Sequence, residues 1–342
     1  MDSNNPAILQ DVAHLANVST ATVSRVINDS GYVSAETRDR VLQAIDALGY
    51  KSQRPRIKAE ETSWVAIITQ SIEDSFNSEV ISGAYQQVMD EGRFPLILEM
   101  PSSIDQQINI FKQLQCLNLV GLISAGFFQP ADGWLNYYDQ IKVPIVVMNT
   151  KVRHPEITSI IINFEKASYR ATQHLLNLNH TRIAYLGVPD FEEFSLEEYK
   201  GIIHALSERG LDYPDEYKIS VARTPEGASQ GISRLMALPP EKRPSAIYAF
   251  DDQLAIYAIN SIHNYGLRIP GDISIIGFDN ILMAAHTNPP LTTVHVPKHR
   301  IGSQAVHLMN QLIKRETDSL GFVYIDPALV VRDSTGPAPK DL

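Results

Sequence analysis

The chain has 342 residues, of which 44% are hydrophobic and 20% charged; this balance excludes global disorder and fits two globular domains, or one domain with a small module. A formal net charge of −10 argues, on its face, against a nonspecific nucleic-acid binder. The single cysteine, Cys116, excludes an intramolecular disulfide and a cysteine-rich metal site, and its neighbours predict a small core residue. Met1 to Pro6 is polar, with no basic stretch followed by an apolar one, and no apolar run approaches the roughly 18 residues that span a bilayer. A cytoplasmic protein without membrane contact is expected.

Three short helical patterns come first. Leu9 to Leu15 carries Val12 and Ala13, followed by Ala16, as apolar positions, and Asn17 tolerates the left-handed backbone of a tight turn. Ser19 is a good N-cap for a second helix. A third starts after Ser34, buries Val41, Leu42, Ile45 and Leu48, and stops at Gly49. At about 100° per residue the second helix gathers Val23, Val26 and Ile27 on one side and Thr20, Ala21, Ser24, Arg25 and Asn28 on the other. Short hydrogen-bonding groups, a methyl and one arginine are what a helix needs to enter a major groove closely, as the second helix of a helix-turn-helix does. The plainer reading is a solvated face on a three-helix cap.

The residues themselves narrow this. Asp11-Val12-Ala13, Val18-Ser19, Thr22-Val23-Ser24-Arg25-Val26-Ile27-Asn28, Val33-Ser34, Thr37-Arg38 and Leu48-Gly49-Tyr50 resemble the headpiece of the lactose-repressor/galactose-repressor family of transcriptional regulators. The resemblance implies that Thr20, Ala21 and Arg25 read bases, and that Thr22, Ser24 and Asn28 contact backbone or orient neighbours. Ile8 stands where the family usually has a threonine, so a capping oxygen is lost.

Lys51 to Lys58 carries four positive charges and no negative one, which suits phosphate contact, though a solvated linker reads the same way. In the family a hinge helix folds here on the operator and wedges a leucine into the minor groove. This chain lacks that run, has Pro55 in its middle, and offers only Ile57 as a wedge. Arg54, Arg56 and Ile57 are the candidate linker contacts.

From Trp64 onward, strand-like apolar runs alternate with helical segments: strands at Trp64–Thr69, Pro95–Glu99, Val120–Ile123, Val143–Met148, Ser159–Ile162, Arg182–Leu186, Ala246–Phe250 and Ile273–Gly277, with helices between most of them. Such repetition predicts parallel sheets with helices on both faces, in two similar lobes. Asn179-His180-Thr181-Arg182, Gly266 to Ser274, Gly277-Phe278-Asp279-Asn280 and Pro289 to Val294 are similar to the effector-binding core of the same family. The resemblance implies an all-α helix-turn-helix headpiece (1–50), a linker (51–63), and an α/β core (64–342) of two doubly wound lobes of the type I periplasmic-binding-protein kind. The chain then crosses between lobes near Ile162, Thr292 and Ile325. Residues 64–162 and 293–325 would form the first lobe, 163–292 and 326–342 the second, with a ligand between them.

By the same resemblance, Phe76, Asn149, Glu198, Asp251 (beside Asp252) and Asp279 are the candidate effector contacts. A plain structural role competes for Phe76 and Asn149, and a helix cap for Asp279. Glu198 stands where the family usually has an arginine that forks onto the ligand, so the cleft is expected to hold three carboxylates and no cation. That favours a neutral or cationic effector, a sugar, oligosaccharide or nucleoside, over a sugar phosphate.

No phosphate-cradling loop, zinc-ligating histidine pair or nucleophile elbow is present, and His180 reads as structural, so neither enzyme activity, a cofactor nor a metal is expected. A solute-binding protein and a transcriptional activator are the other readings. The expected partners are double-stranded operator DNA, a small-molecule effector and a second copy of the chain. The charge divides accordingly: residues 1–58 hold seven Lys/Arg and six Asp/Glu, a net +1, so residues 59–342 carry −11. The acidity belongs to the core.

Overall fold

A computed structural model describes residues 9–27, 33–48, 63–125, 141–152, 157–189, 192–314 and 321–339. Asn28, Arg54, Arg56 and Ile57, and the linker apart from Ser63, lie outside them. The chain divides into two compact units, residues 1–62 and 63–342.

The first unit holds α1 (Leu9–Leu15), α2 (Thr20–Ile27) and α3 (Ala35–Ala47). Val12, Ala13, Ala16, Val23, Val26, Val41 and Ala44 form its core, with Leu9, Val18, Val33, Ile45 and Leu48 packed against it. Asn17 takes the left-handed backbone at φ 53°. Ser19 Oγ accepts from the Thr22 amide at 3.1 Å, and Ser34 Oγ from the Thr37 amide at 3.3 Å, so both caps form where expected. Leu42 does not join the core; it is 51% exposed. It stands about 100° around the helix from Val41, and the buried stripe runs through Val41, Ala44 and Leu48 instead.

The second unit contains two six-stranded sheets. The first has the order β11-β5-β4-β3-β1-β2, from β1 (Trp64–Thr69), β2 (Phe94–Glu99), β3 (Leu119–Ser124), β4 (Ile145–Met148), β5 (Ile157–Ile162) and β11 (Phe322–Ile325). The second has the order β12-β10-β9-β8-β6-β7, from β6 (Ile183–Gly187), β7 (Lys218–Ser220), β8 (Ala246–Ala249), β9 (Ser274–Asp279), β10 (Thr292–His295) and β12 (Ala328–Val330). All pairings are parallel except β10 with β12. β1, β3 to β6, β8 and β9 are nearly all apolar, as strands covered on both faces must be, while the edge strand β2 is apolar but leaves Phe94 and Ile97 exposed. Their helices are α4 (Ser75–Asp90), α5 (Ile104–Leu114), α6 (Phe164–Asn177), α7 (Glu192–Ser207), α8 (Pro225–Met236), α9 (Asp252–Asn264) and α10 (Lys298–Ile313).

The chain passes between sheets after β5, after β10 and after β11. The second passage follows His295, not Thr292, because Thr292–His295 pairs with Ser274–Asp279 as well as with β12. After it, α10 packs on α4 at glycines: a Cβ on Gly83 would strike the His299 carbonyl, and one on Gly302 the Val80 carbonyl. Cys116 is exposed in the turn after α5 rather than in the core. His180 is fully buried, bound to Ser245 Oγ at 2.9 Å, Ser274 Oγ at 3.0 Å and the Gly336 carbonyl at 2.9 Å, and burial lowers its pKa. It ties the segment around Gly336 to the second sheet.

Candidate functional site

Two surfaces carry functional geometry. On α2, Val23 and Val26 are buried while Thr20, Ala21 and Arg25 are exposed and Thr22 and Ser24 half-buried. The small, hydrogen-bonding face is therefore turned outward, as base or phosphate contact requires. Thr22 is partly committed within its own helix, since its hydroxyl lies 2.9 Å from Ser19 Oγ.

In the second unit, strand order reverses beside β1 in one sheet and beside β6 in the other. Loops leaving the carboxyl ends at such a switch point separate and leave a crevice. A cavity of about 350 Å³ lies there. Gln70, Ser71, Glu73, Asp74, Phe76 and Asn77 come from the β1–α4 connection and the start of α4, while Phe164, Glu198, Arg223, Phe250, Asp251, Gln253, Phe278 and Asp279 come from the second lobe's side.

Each polar group is placed by local structure. Asp74 caps α4, its Oδ1 accepting from the amides of Phe76 at 2.9 Å and Asn77 at 3.0 Å. Asp251 caps α9, accepting from Leu254 N at 2.7 Å. Arg223 joins the two caps: its Nη1 donates to Asp74 Oδ2 at 2.8 Å and its Nε pairs with Asp251 Oδ2. One guanidinium thus holds an aspartate from each lobe. Burial opposes the charge on Arg223, but the Asp251 and Asp74 carboxylates outweigh it and hold the guanidinium well above the usual arginine value.

Glu198 on α7 is fully buried. Its Oε2 accepts from Tyr185 Oη at 2.9 Å, and its Oε1 has no hydrogen-bond partner. Burial pushes its carboxyl well above the usual range; Tyr185 pulls it down, and Asp279 and Asp251 push it further up. Asp279 is raised likewise, by burial first and then by Asp251. It ends β9 at φ 100°, followed by Asn280 at φ 53°, a left-handed pair that costs backbone energy. The buried Lys298 ammonium donates to both of their carbonyls and lies 3.4 Å from Glu79 on α4. Asp252, just behind the cavity, accepts from Ile281 N and Thr293 Oγ1, and burial pushes its carboxyl up to about 7. Gly277 makes room for it, since a Cβ there would strike Asp252 Oδ1.

The structure therefore brings Phe76, Glu198, Asp251 and Asp279 to one cavity. Asn149 is not part of the lining. At φ 52° it accepts from Ile162 N at 2.9 Å and donates its own amide to Ile160, so it binds the end of β5 just before the chain changes lobe. The helix-cap role read for Asp279 belongs to Asp251. The expectation of a cleft without a cation is overturned by Arg223. A sequence signal for it existed: Thr224-Pro225-Glu226 is an N-cap followed by proline at the first helical position, which puts Arg223 on a strand-to-helix turn at the ligand end.

Among the described residues no cluster of His, Cys, Asp and Glu suits a metal ion, and no helix is long and apolar enough to cross a membrane.

Comparison with known proteins covers both units of the chain. Residues 8–53 match the family described as bacterial regulatory proteins, lacI family, and residues 172–335 match the periplasmic binding protein-like domain. The transcriptional repressor PurR of Aliivibrio fischeri is 30% identical over 96% of this chain and 98% of its own, and PurR of Mannheimia succiniciproducens is 30% identical with the same coverage. In fold, the chain resembles the regulator CelR in complex with cellobiose, with TM-score 0.70 and 24% identity over 96% of this chain and 99% of that one. It also resembles a regulator from Enterococcus faecium with bound ribose, with TM-score 0.71 and 21% identity over 80% and 99%.

Proposed function

The chain belongs to the lacI family of bacterial regulatory proteins and is a ligand-responsive, DNA-binding transcriptional repressor rather than an enzyme; from that premise we propose how its two surfaces are used. Thr20, Ala21 and Arg25 read base edges, with Thr22, Ser24 and Asn28 on backbone or neighbours and Arg54, Arg56 and Ile57 as linker contacts. The protein acts in the cytoplasm as a homodimer, so two headpieces meet two half-sites of a near-palindromic operator. With its net +1 over residues 1–58, nonspecific binding is weak and salt-sensitive, and specificity depends on dimerisation and a few contacts.

The effector is a neutral or cationic small molecule, a sugar or nucleoside, held between the lobes. The observation that carries this is the cavity itself: five carboxyl-bearing side chains surround one guanidinium that two of them already occupy. Such a lining repels a phosphorylated ligand. The cellobiose and ribose held by proteins of this fold support the sugar class. Ligand contacts that remake the Arg223 clasp shift the lobes and, through them, operator affinity. The coupling is reciprocal, so operator changes effector affinity by the same factor.

A thermal-shift screen of sugars and nucleosides identifies the effector, and calorimetry with and without operator DNA tests the coupling. Unequal effector affinity on and off operator is expected, and equal affinity overturns the coupling. Tight binding of a sugar phosphate overturns the charge reading.

A further inference from the structure

Two buried acceptors with nothing to accept belong to residues that line the same cavity from opposite lobes. Glu198 Oε1 has no hydrogen-bond partner on the second-lobe side. On the first-lobe side, Asn77 donates its Nδ2 to the Ser71 carbonyl at 3.1 Å, which fixes the amide's orientation, and leaves Oδ1 buried and without a partner. A buried acceptor left unmet costs the desolvation of that group, so a ligand that brings donors gains at both places.

The charges around these acceptors are unbalanced. Glu73, Asp74, Glu198, Asp251 and Asp279 line the cavity, and among the described residues Arg223 is the one cation in the lining. Its guanidinium is spent on Asp74 and Asp251. Lys298 is turned to the Asp279 and Asn280 carbonyls and to Glu79, behind the cavity. Glu198 and Asp279 thus share a low-dielectric site whose one cation among the described lining residues, Arg223, is already paired with Asp74 and Asp251 and acts on Asp279 least of its neighbours. Phe76, Phe164, Phe250 and Phe278 supply the remaining walls, and aromatic faces attract cations.

We propose that the effector carries a protonated amine that docks between Glu198 and Asn77 beside Asp279, so that the cleft selects an aminated sugar or polyol over its uncharged counterpart. This rests on the reading of the cleft as the effector site. An ammonium offers three donors to acceptors on both lobes and offsets a carboxylate, which a hydroxyl cannot. The groups facing Glu198 and Asp279 are Tyr185, Tyr248, Asp251, Asp252, Arg223 and Lys298. Burial raises both carboxyls, and an ammonium docked beside them favours their ionised forms.

The test is calorimetric titration of the full-length protein with matched pairs: glucosamine against glucose, galactosamine against galactose, mannosamine against mannose. In at least one pair the aminated member binds about ten-fold tighter or better. Glu198→Gln and, independently, Asp279→Asn reduce that preference to about three-fold or less; an unchanged melting temperature of the empty variant shows that it folds. Equal or tighter binding of the neutral members overturns the amine while leaving a sugar-binding cleft. Binding that both variants leave unchanged places the ligand elsewhere and overturns the cleft reading as well, as does binding of none of the pairs.

Discussion

The two lobes share a strand order and differ in what they bury. In both sheets the first strand lies inside the second, with the third to fifth following on its other side. Yet among the described residues the buried carboxyl groups, Glu198, Asp251, Asp252 and Asp279, all lie on the second lobe, while the first buries one charge, the Lys298 ammonium, beside the neutral Thr69, Asn77, Ser124, Asn149, Thr158 and Ser159. The first lobe's described contribution to the cavity comes from residues 70–77. The second supplies Glu198 from α7, Arg223 before α8, Asp251 before α9 and Asp279 from β9. Topology fixed where a crevice opens, and the chemistry was loaded onto one side of it. The other side meets that chemistry through Glu73, the capping Asp74 and Asn77 at the cavity, and through Lys298 behind it.

This asymmetry can be broken in measurable ways. The largest effect belongs to pH. Asp252 titrates near 7 in the folded chain against about 4 unfolded. The native state therefore holds an extra proton between those values, so the contribution to stability is fully present below about pH 4 and is lost as pH climbs through 7, by up to about 4 kcal/mol. Urea unfolding across that window shows the decline, and Asp252→Asn makes it shallower without abolishing it, because burial also raises Glu198 and Asp279; a slope that the substitution leaves unchanged assigns the proton elsewhere.

Next is the clasp. Arg223→Ala leaves Asp251 buried and unpaired and destabilises the second unit by about 3 kcal/mol, with altered effector affinity in the same variant. Asp74→Asn removes only the first-lobe arm, where the carboxylate is 17% exposed against 4% for Asp251, and costs roughly 1 kcal/mol. Equal costs would mean that the two lobes grip Arg223 alike. The headpiece provides a control. Arg25→Ala lowers specific operator affinity by about 1–3 kcal/mol if it reads a guanine and leaves the melting of the second unit unchanged. An unchanged specificity ratio in fluorescence anisotropy makes it a phosphate contact. Smallest is Leu42→Ser, which stays within about 0.5 kcal/mol because Leu42 is exposed.

What could be read from the sequence follows the same division. Strands such as Ile145–Met148 and Ser274–Asp279 announce themselves as apolar runs, and Ser19 and Ser34 as caps, because these depend on local periodicity and hydrogen bonding. Glu198, Asp251 and Asp279 came from motif positions. Arg223 did not, because its strand, Lys218–Ser220, is three residues long and has no periodicity to locate it. Its partners stand far away in sequence, at Asp74 and Asp251. Asn149 is ambiguous for the converse reason: a strand-end polar residue reads alike whether it faces a ligand or accepts, as Asn149 Oδ1 does, from the backbone of a neighbouring strand.

The late strands have a consequence for how the protein is made. β11 adds to the first sheet and β12 to the second, and both lie after Ile313. A nascent chain that has emerged only as far as α10 presents two sheets that each lack a border strand. β5 and β10 then expose unpaired backbone edges, which recruit other chains. The two sheets are closed within a few residues of each other, so the lobes finish almost together, and a truncation before Phe322 exposes both to aggregation at once, whereas one between Ile325 and Ala328 opens the second alone.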